Sequence, residues 1–192
     1  WYISQGYLKE AVINFLATRV WNHPQGQEVF DLQELIKHFD FKDMHLQGPI
    51  ADLDKLNWLN GQWIRKISDQ ELIQRLAPFK TSPDLTPDLL LKILPLIKDR
   101  LETLAQINDL TDYFIKEPLQ DPKSILKESK TTPVATAAYL QKVELNLSQL
   151  KTWQTKNIEK SLHDLAQKLA WKPRPAFMTI RIATTGRSAT PP

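Results

Sequence analysis

The residue types that most often carry enzymatic chemistry are thinly represented in this 192-residue chain. It has no cysteine, which excludes a thiol nucleophile, a disulfide framework and a cysteine zinc site. Its four histidines, His23, His38, His45 and His163, lie far apart in sequence with no two at i,i+4 spacing, so they read as surface or half-buried helix residues and no metal site is expected. There is no Gly-rich phosphate loop, no His-Glu-x-x-His and no Gly-x-Ser-x-Gly. The carboxylate pairs Asp52/Asp54 and Asp109/Asp112 fit helix starts better than acid–base catalysis, because negative charge at a helix N-terminus is favourable by roughly 0.3–1 kcal/mol. No catalytic residue is expected in this chain taken alone.

What remains is chemistry of binding. The net charge is +3, and its distribution is uneven. Residues 1–67 carry a net −1 and residues 68–170 are balanced, whereas residues 171–192 hold Lys172, Arg174, Arg181 and Arg187 without an acid. A polyanion such as nucleic acid is the first partner such a segment suggests, beside the plainer reading of a solvated basic tail. Of the six tryptophans, Trp21, Trp58 and Trp63 fall in helical patterns with Phe and Leu and are expected in the core, while Trp153 and Trp171 flank the last regular helix as a staple and an anchor. Arg100 follows a helix end disturbed by Pro95 and can project from a bend; its plainer role is an ion pair with Asp99 or Glu102. With 42% hydrophobic and 24% charged residues the chain is globular in composition. It lacks any apolar run near the ~20 residues of a membrane span. No leader pattern is visible at the N-terminus, and an intracellular protein is the default.

The elements that must position these residues are nearly all helical. Apolar residues from Leu8 to Phe15 and Leu16 mark a first amphipathic helix over 8–21. Asp31 with Glu34, and Ser68 with Glu71, have capping-box spacing, and Thr86-Pro87 and Thr132-Pro133 suit an N-cap followed by proline at the first helical position. Gly48-Pro49 marks a loop, and Asn60-Gly61 is expected to break the helix opened by Asp52. Further helices are expected over 100–107, through Tyr113-Phe114-Ile115, and over 158–170. Residues 117–132 read as an exposed connection, and Pro173, Pro175, Gly186 and Pro191-Pro192 predict an extended C-terminal segment. The expected fold is all-α, in two consecutive helical domains, 1–67 and 68–192.

Several strings, in order along nearly the whole chain, resemble the C-terminal half of the bacterial glutamyl-tRNA synthetases, the glutamate–tRNA ligases. They are Trp1-Tyr2 with Gly6-Tyr7-Leu8-x-Glu10-Ala11 and Asn14-Phe15-Leu16; Phe30-x-Leu32-x-Glu34-Leu35-Ile36; Asp54-Lys55-Leu56-x-Trp58-Leu59-Asn60; and Arg181-x-Ala183-x-Thr185-Gly186. The resemblance implies that residues 1–67 are a helical stem-contact domain and 68–192 a helical anticodon-binding domain, with the catalytic domain upstream and a closing helix downstream. The fragment would itself be inactive and need no cofactor. Its parent would be a cytoplasmic, monomeric enzyme that joins glutamate to tRNA with ATP and Mg²⁺. Arg100 then aligns with an arginine that contacts the last anticodon base, and Arg181, Thr185, Gly186 and Thr190 with a segment near the anticodon loop; Lys55, Asn60 and Arg65 are candidate tRNA-stem contacts by position. Lys9 and Thr184 depart from the family's usual proline and aliphatic residue, and Lys172-Pro173-Arg174-Pro175 departs from its glycine-containing approach. The competing expectation is an all-α protein-interaction module with a basic tail.

Overall fold

The computed structural model describes residues 1–45 and 52–190; the Gly48-Pro49 loop and the Pro191-Pro192 end lie outside the described residues. Every regular element among the described residues is a helix. They form two compact units, Trp1–Ile115 and Lys116–Thr190.

The first unit contains α1 (Lys9–Val20), α2 (Leu32–His38), α3 (Leu53–Lys66), α4 (Asp69–Leu76), α5 (Pro87–Ile97) and α6 (Ile107–Ile115). Their starts follow the expected chemistry. Asp31, Ser68 and Thr86 accept the backbone N–H three residues on, from Glu34, Glu71 and Leu89. Each bond satisfies an amide that the first helical turn leaves without an intrahelical partner.

Packing does not divide at residue 67. One continuous core joins Leu8, Ala11 and Ile64 to Leu72, Leu76, Leu90, Leu94 and Leu101. Arg75 of α4 grips Glu10 of α1 through two hydrogen bonds of 3.1 and 3.0 Å, and the Leu104 N–H donates to the Gly6 carbonyl at 2.9 Å. The contact boundary therefore falls between Ile115 and Lys116, where the chain passes from one core to the other.

Three local expectations fail in this unit. Asn60-Gly61 does not interrupt α3, although glycine costs about 1 kcal/mol inside a helix. Asn60 is fully buried, accepts from the Leu8 N–H at 2.8 Å and donates to the Glu102 carbonyl. Gly61 lets the Leu101 carbonyl approach, since a Cβ there would lie 3.3 Å from that oxygen. These tertiary bonds, with burial of Leu56, Leu59 and Ile64, outweigh the local turn preference. The helix expected over 100–107 is instead an extended step followed by a 3-10 turn, Leu104–Gln106, in which Gln106 accepts from the Glu102 and Thr103 amides. Finally, Trp21 is buried and Trp63 packs on the core, but Trp58 is 39% exposed, with the Lys55 ammonium 4.2 Å from its ring centre. Pro95 sits inside α5, which ends two residues later in a 3-10 turn, Lys98–Arg100.

The second unit contains α7 (Pro122–Ser129), α8 (Pro133–Ser148), α9 (Thr155–Lys168) and α10 (Pro173–Thr185). Its core is Tyr139, Val143, Leu162, Leu165, Ala166 and Ala176. Trp171 is the expected anchor, stacked on Tyr139 at 4.1 Å between ring centres; burial pushes the Tyr139 phenol up to about 12. Trp153, expected as a staple, is largely exposed. The connection expected over 117–132 contains α7, whose N-cap Asp121 accepts from the Lys123 and Ser124 amides ahead of Pro122, and whose Ile125 is buried. The extended C-terminal segment is likewise corrected, because residues 173–185 form α10. Pro173 and Pro175 fall in its first turn, where the missing N–H groups would have had no intrahelical partner.

Candidate nucleic-acid interface

Helix α10 gives the acid-free basic segment a shape. Its buried face is Ala176, Thr179 and Ile182. Arg174 and Arg181 are seven residues apart, so at 3.6 residues per turn they share one face, and Thr185 continues it one turn on. That face points away from Ala176: Arg174 is exposed and Arg181 half-exposed. Lys172 stands at the N-cap, where the helix dipole is unfavourable to a cation, so its charge adds to a positive helix end. The described residues place no ion-pair partner on Lys172, Arg174 or Arg181. The segment is a charged helical face and not a tail.

Its C-terminus is a built cap. Gly186 adopts φ 68°, donates its N–H to the Ile182 carbonyl at 2.8 Å, and would place a Cβ 2.9 Å from the Leu119 carbonyl. The Thr185 hydroxyl donates to the Arg181 carbonyl at 2.6 Å and accepts the Arg187 N–H at 3.2 Å. The short polar groups and glycine amide anticipated as ligand-facing are thus engaged in ending the helix, and Thr190 is buried at 8% exposure. Within this end, Arg181 keeps a half-exposed side chain on the face opposite Ala176.

A cavity of about 320 Å³ opens beside the start of α10, lined in part by Lys130, Thr131, Trp171 and Lys172. Lys130 and Ala170 border it in left-handed conformations, φ 54° and 55°. Lys130 was not singled out in the sequence. Its signal is a lysine at the C-terminal end of an Asp-Pro-initiated helix, inside a stretch whose polar and proline residues read as an exposed connection.

The other candidates belong to the first unit. Arg100 ends the 3-10 turn Lys98–Arg100 and is exposed; among the described residues it pairs with neither Asp99 nor Glu102. The turn is braced from behind. Arg65 donates to the Asp99 carbonyl at 3.1 Å, Lys98 pairs with Asp69 at 2.8 Å, and buried Leu101 anchors the exit. Lys55 pairs with Glu28 as well as lying over Trp58. Asn60, with no exposed surface and both amide ends bonded, holds α3 to the chain and cannot meet a surface partner in this conformation.

The histidines are not all scattered in space. His23 and His38 rings lie 5.1 Å apart at an edge-on angle, with Glu34 beside both. Sequence spacing alone does not bring them together.

Residues 71–192 match the family described as anticodon binding domain. Over 99% of its length the chain is 35% identical to the glutamate–tRNA ligase of Herpetosiphon aurantiacus, of which it covers 40%. Among solved structures it superposes with a TM-score of 0.82 on a glutamate tRNA ligase from Elizabethkingia meningosepticum, at 24% identity, covering 99% of this chain and 38% of that one. It superposes with a TM-score of 0.75 on the glutamate-tRNA synthetase of Elizabethkingia anophelis, at 26% identity, covering 99% and 37%. The chain thus spans about two fifths of the length of these relatives. With a family match across residues 71–192, the chain belongs to the anticodon binding domain family.

Proposed function

We propose that this chain is the tRNA-recognition part of a glutamate–tRNA ligase, with 1–67 serving the tRNA stem and 68–192 the anticodon. The observation that carries the reading is the Arg174–Arg181 face of α10, set opposite that helix's buried side in a segment without an acid. Planar guanidinium donors suit phosphates and the edges of splayed bases, which an anticodon loop offers. Arg100, held on a braced turn, is assigned to the anticodon, and the cavity beside Lys130 and Lys172 is suited to an unstacked base on Trp171. Arg181 is the anticodon contact retained from the C-terminal set, with Thr185, Gly186 and Thr190 shaping the backbone that presents it. Arg65 and Lys55 are assigned to the stem. The complete ligase would activate glutamate with ATP and Mg²⁺ in a catalytic domain of the same parent chain, as a cytoplasmic monomer. No helix among the described residues is long and apolar enough to cross a membrane.

The test is fluorescence anisotropy of the chain with tRNA for glutamate and with an unrelated RNA hairpin at low salt. Tighter binding to the tRNA supports the reading. Equal binding to both, or capture of neither, contradicts it and returns the protein-interaction module to consideration.

A further inference from the structure

We infer that His23, Glu34 and His38 form a binding site for a zinc-class divalent cation in the first unit. Helix α2 places Glu34 and His38 four residues apart on one face, with its start fixed by the Asp31 cap. His23 comes from the preceding loop and is held by a stack on Phe30, an edge contact with Trp21, and a turn closed by the Gly26 N–H on its own carbonyl. Glu34 Oε1 lies 3.5 Å from His38 Nε2 and 3.9 Å from His23 Nε2, and one ligand atom from each residue lies within 4.8 Å of the others. Zinc bonds of 2.0–2.2 Å in a tetrahedron set neighbouring ligands roughly 3.3 Å apart. The Glu34–His38 edge already has nearly that length, and a small rotation of the half-buried Glu34 and His38 side chains closes the remainder.

A second, independent feature points to a ligand. The His23 side chain has no exposed surface, and its Nε2, facing the other two residues, has no hydrogen-bond partner among the described residues. A buried polar atom left unpaired is costly and calls for a partner. The Gln25 N–H donates to His23 Nδ1 at 3.2 Å, which puts the ring proton of the neutral imidazole on Nε2. Cation binding at Nε2 moves that proton to Nδ1 and releases the Gln25 amide, so the ring stays neutral and Gln25 reports occupancy. Two imidazoles and one carboxylate select zinc and its transition-metal neighbours over Mg²⁺ or Ca²⁺, which prefer all-oxygen ligands. Three protein ligands leave a fourth position for water on the side where Glu34 and His38 meet solvent. The cation would tie the His23 loop to α2 around the small core of Ala17, Trp21 and Phe30.

The test is calorimetric titration of the tag-free 192-residue chain with ZnCl₂ at neutral pH, alongside Glu34→Gln and His38→Gln, whose sites are at the surface, and His163→Gln as a control. Circular dichroism verifies that each variant is folded. One zinc per chain, weakened at least about tenfold by either ligand variant and unchanged by His163→Gln, with a shifted Gln25 amide resonance, is the expected result. Absence of saturable zinc binding, binding that survives both ligand variants, or equal competition by Mg²⁺ overturns the site.

Discussion

Asn60 shows how a residue can sit inside a string that carries a family resemblance and yet act inward. Its amide joins α3 to the Leu8 N–H on one side and the Glu102 carbonyl on the other, with no exposed surface. Asn60→Ala should therefore cost about 2–4 kcal/mol in urea unfolding, since it removes two buried bonds and strands their partners. RNA affinity at a temperature where the variant is folded should be unchanged. Arg100 is the converse case, with an exposed guanidinium on a turn braced by Arg65, Lys98 and Leu101. The sequence suggested a projecting arginine because Pro95 disturbs the helix before it. It could not reveal the Arg65 brace, which spans 34 residues. The histidine pair was hidden for the same reason: the Glu34/His38 spacing is local and readable, whereas the fold brings His23 to it through a loop anchored on Trp21 and Phe30.

At the scale of the element, helix starts were legible and helix continuations were not. Asp31, Ser68, Thr86 and Thr132 each cap the helix their spacing announced, because a cap is a bond between residues two or three apart. Asp121-Pro122 carries the same signature inside a run of polar and proline residues that hides α7 from periodicity. The prolines of α10 were read as breakers when they occupy the one turn where proline is harmless. The other end of α10 depends on Gly186, which combines a left-handed φ with a backbone neighbour that leaves no room for a Cβ. Gly186→Ala should destabilise the second unit by about 2 kcal/mol or more and lower its melting temperature. Because that cap presents the Arg181 end of the helix, the substitution should also weaken tRNA binding, while an exposed variant such as Ser188→Ala should do neither.

At the scale of the molecule, the division of labour suggested by the family need not coincide with the division of packing. Residues 68–115 share a core with 1–67, and the Glu10–Arg75–Glu71 cluster fastens α1 to α4. Periodicity reports which face of a helix is apolar, not which other helix covers it, and the Ser68–Glu71 capping box marks the start of α4 without telling what α4 packs against. Burial pushes the Glu10 carboxyl up, but hydrogen bonds from Arg75 outweigh it, leaving Glu10 below its ordinary value. A carboxyl whose folded pKa is depressed contributes stability that is present above its unfolded value and lost as pH falls through the folded one. Glu10→Gln should cost about 1 kcal/mol at neutral pH and flatten the acid limb of stability against pH, as followed by urea unfolding from pH 7 to 3. Whether the basic face of α10 meets RNA phosphates is read most directly from the salt dependence of tRNA binding. Each arginine that neutralises a single-stranded phosphate contributes about −0.7 to the slope of log K against log salt, so Arg174→Ala with Arg181→Ala should make that slope shallower by about 1.4. An unchanged slope in the doubly substituted chain would contradict that contact.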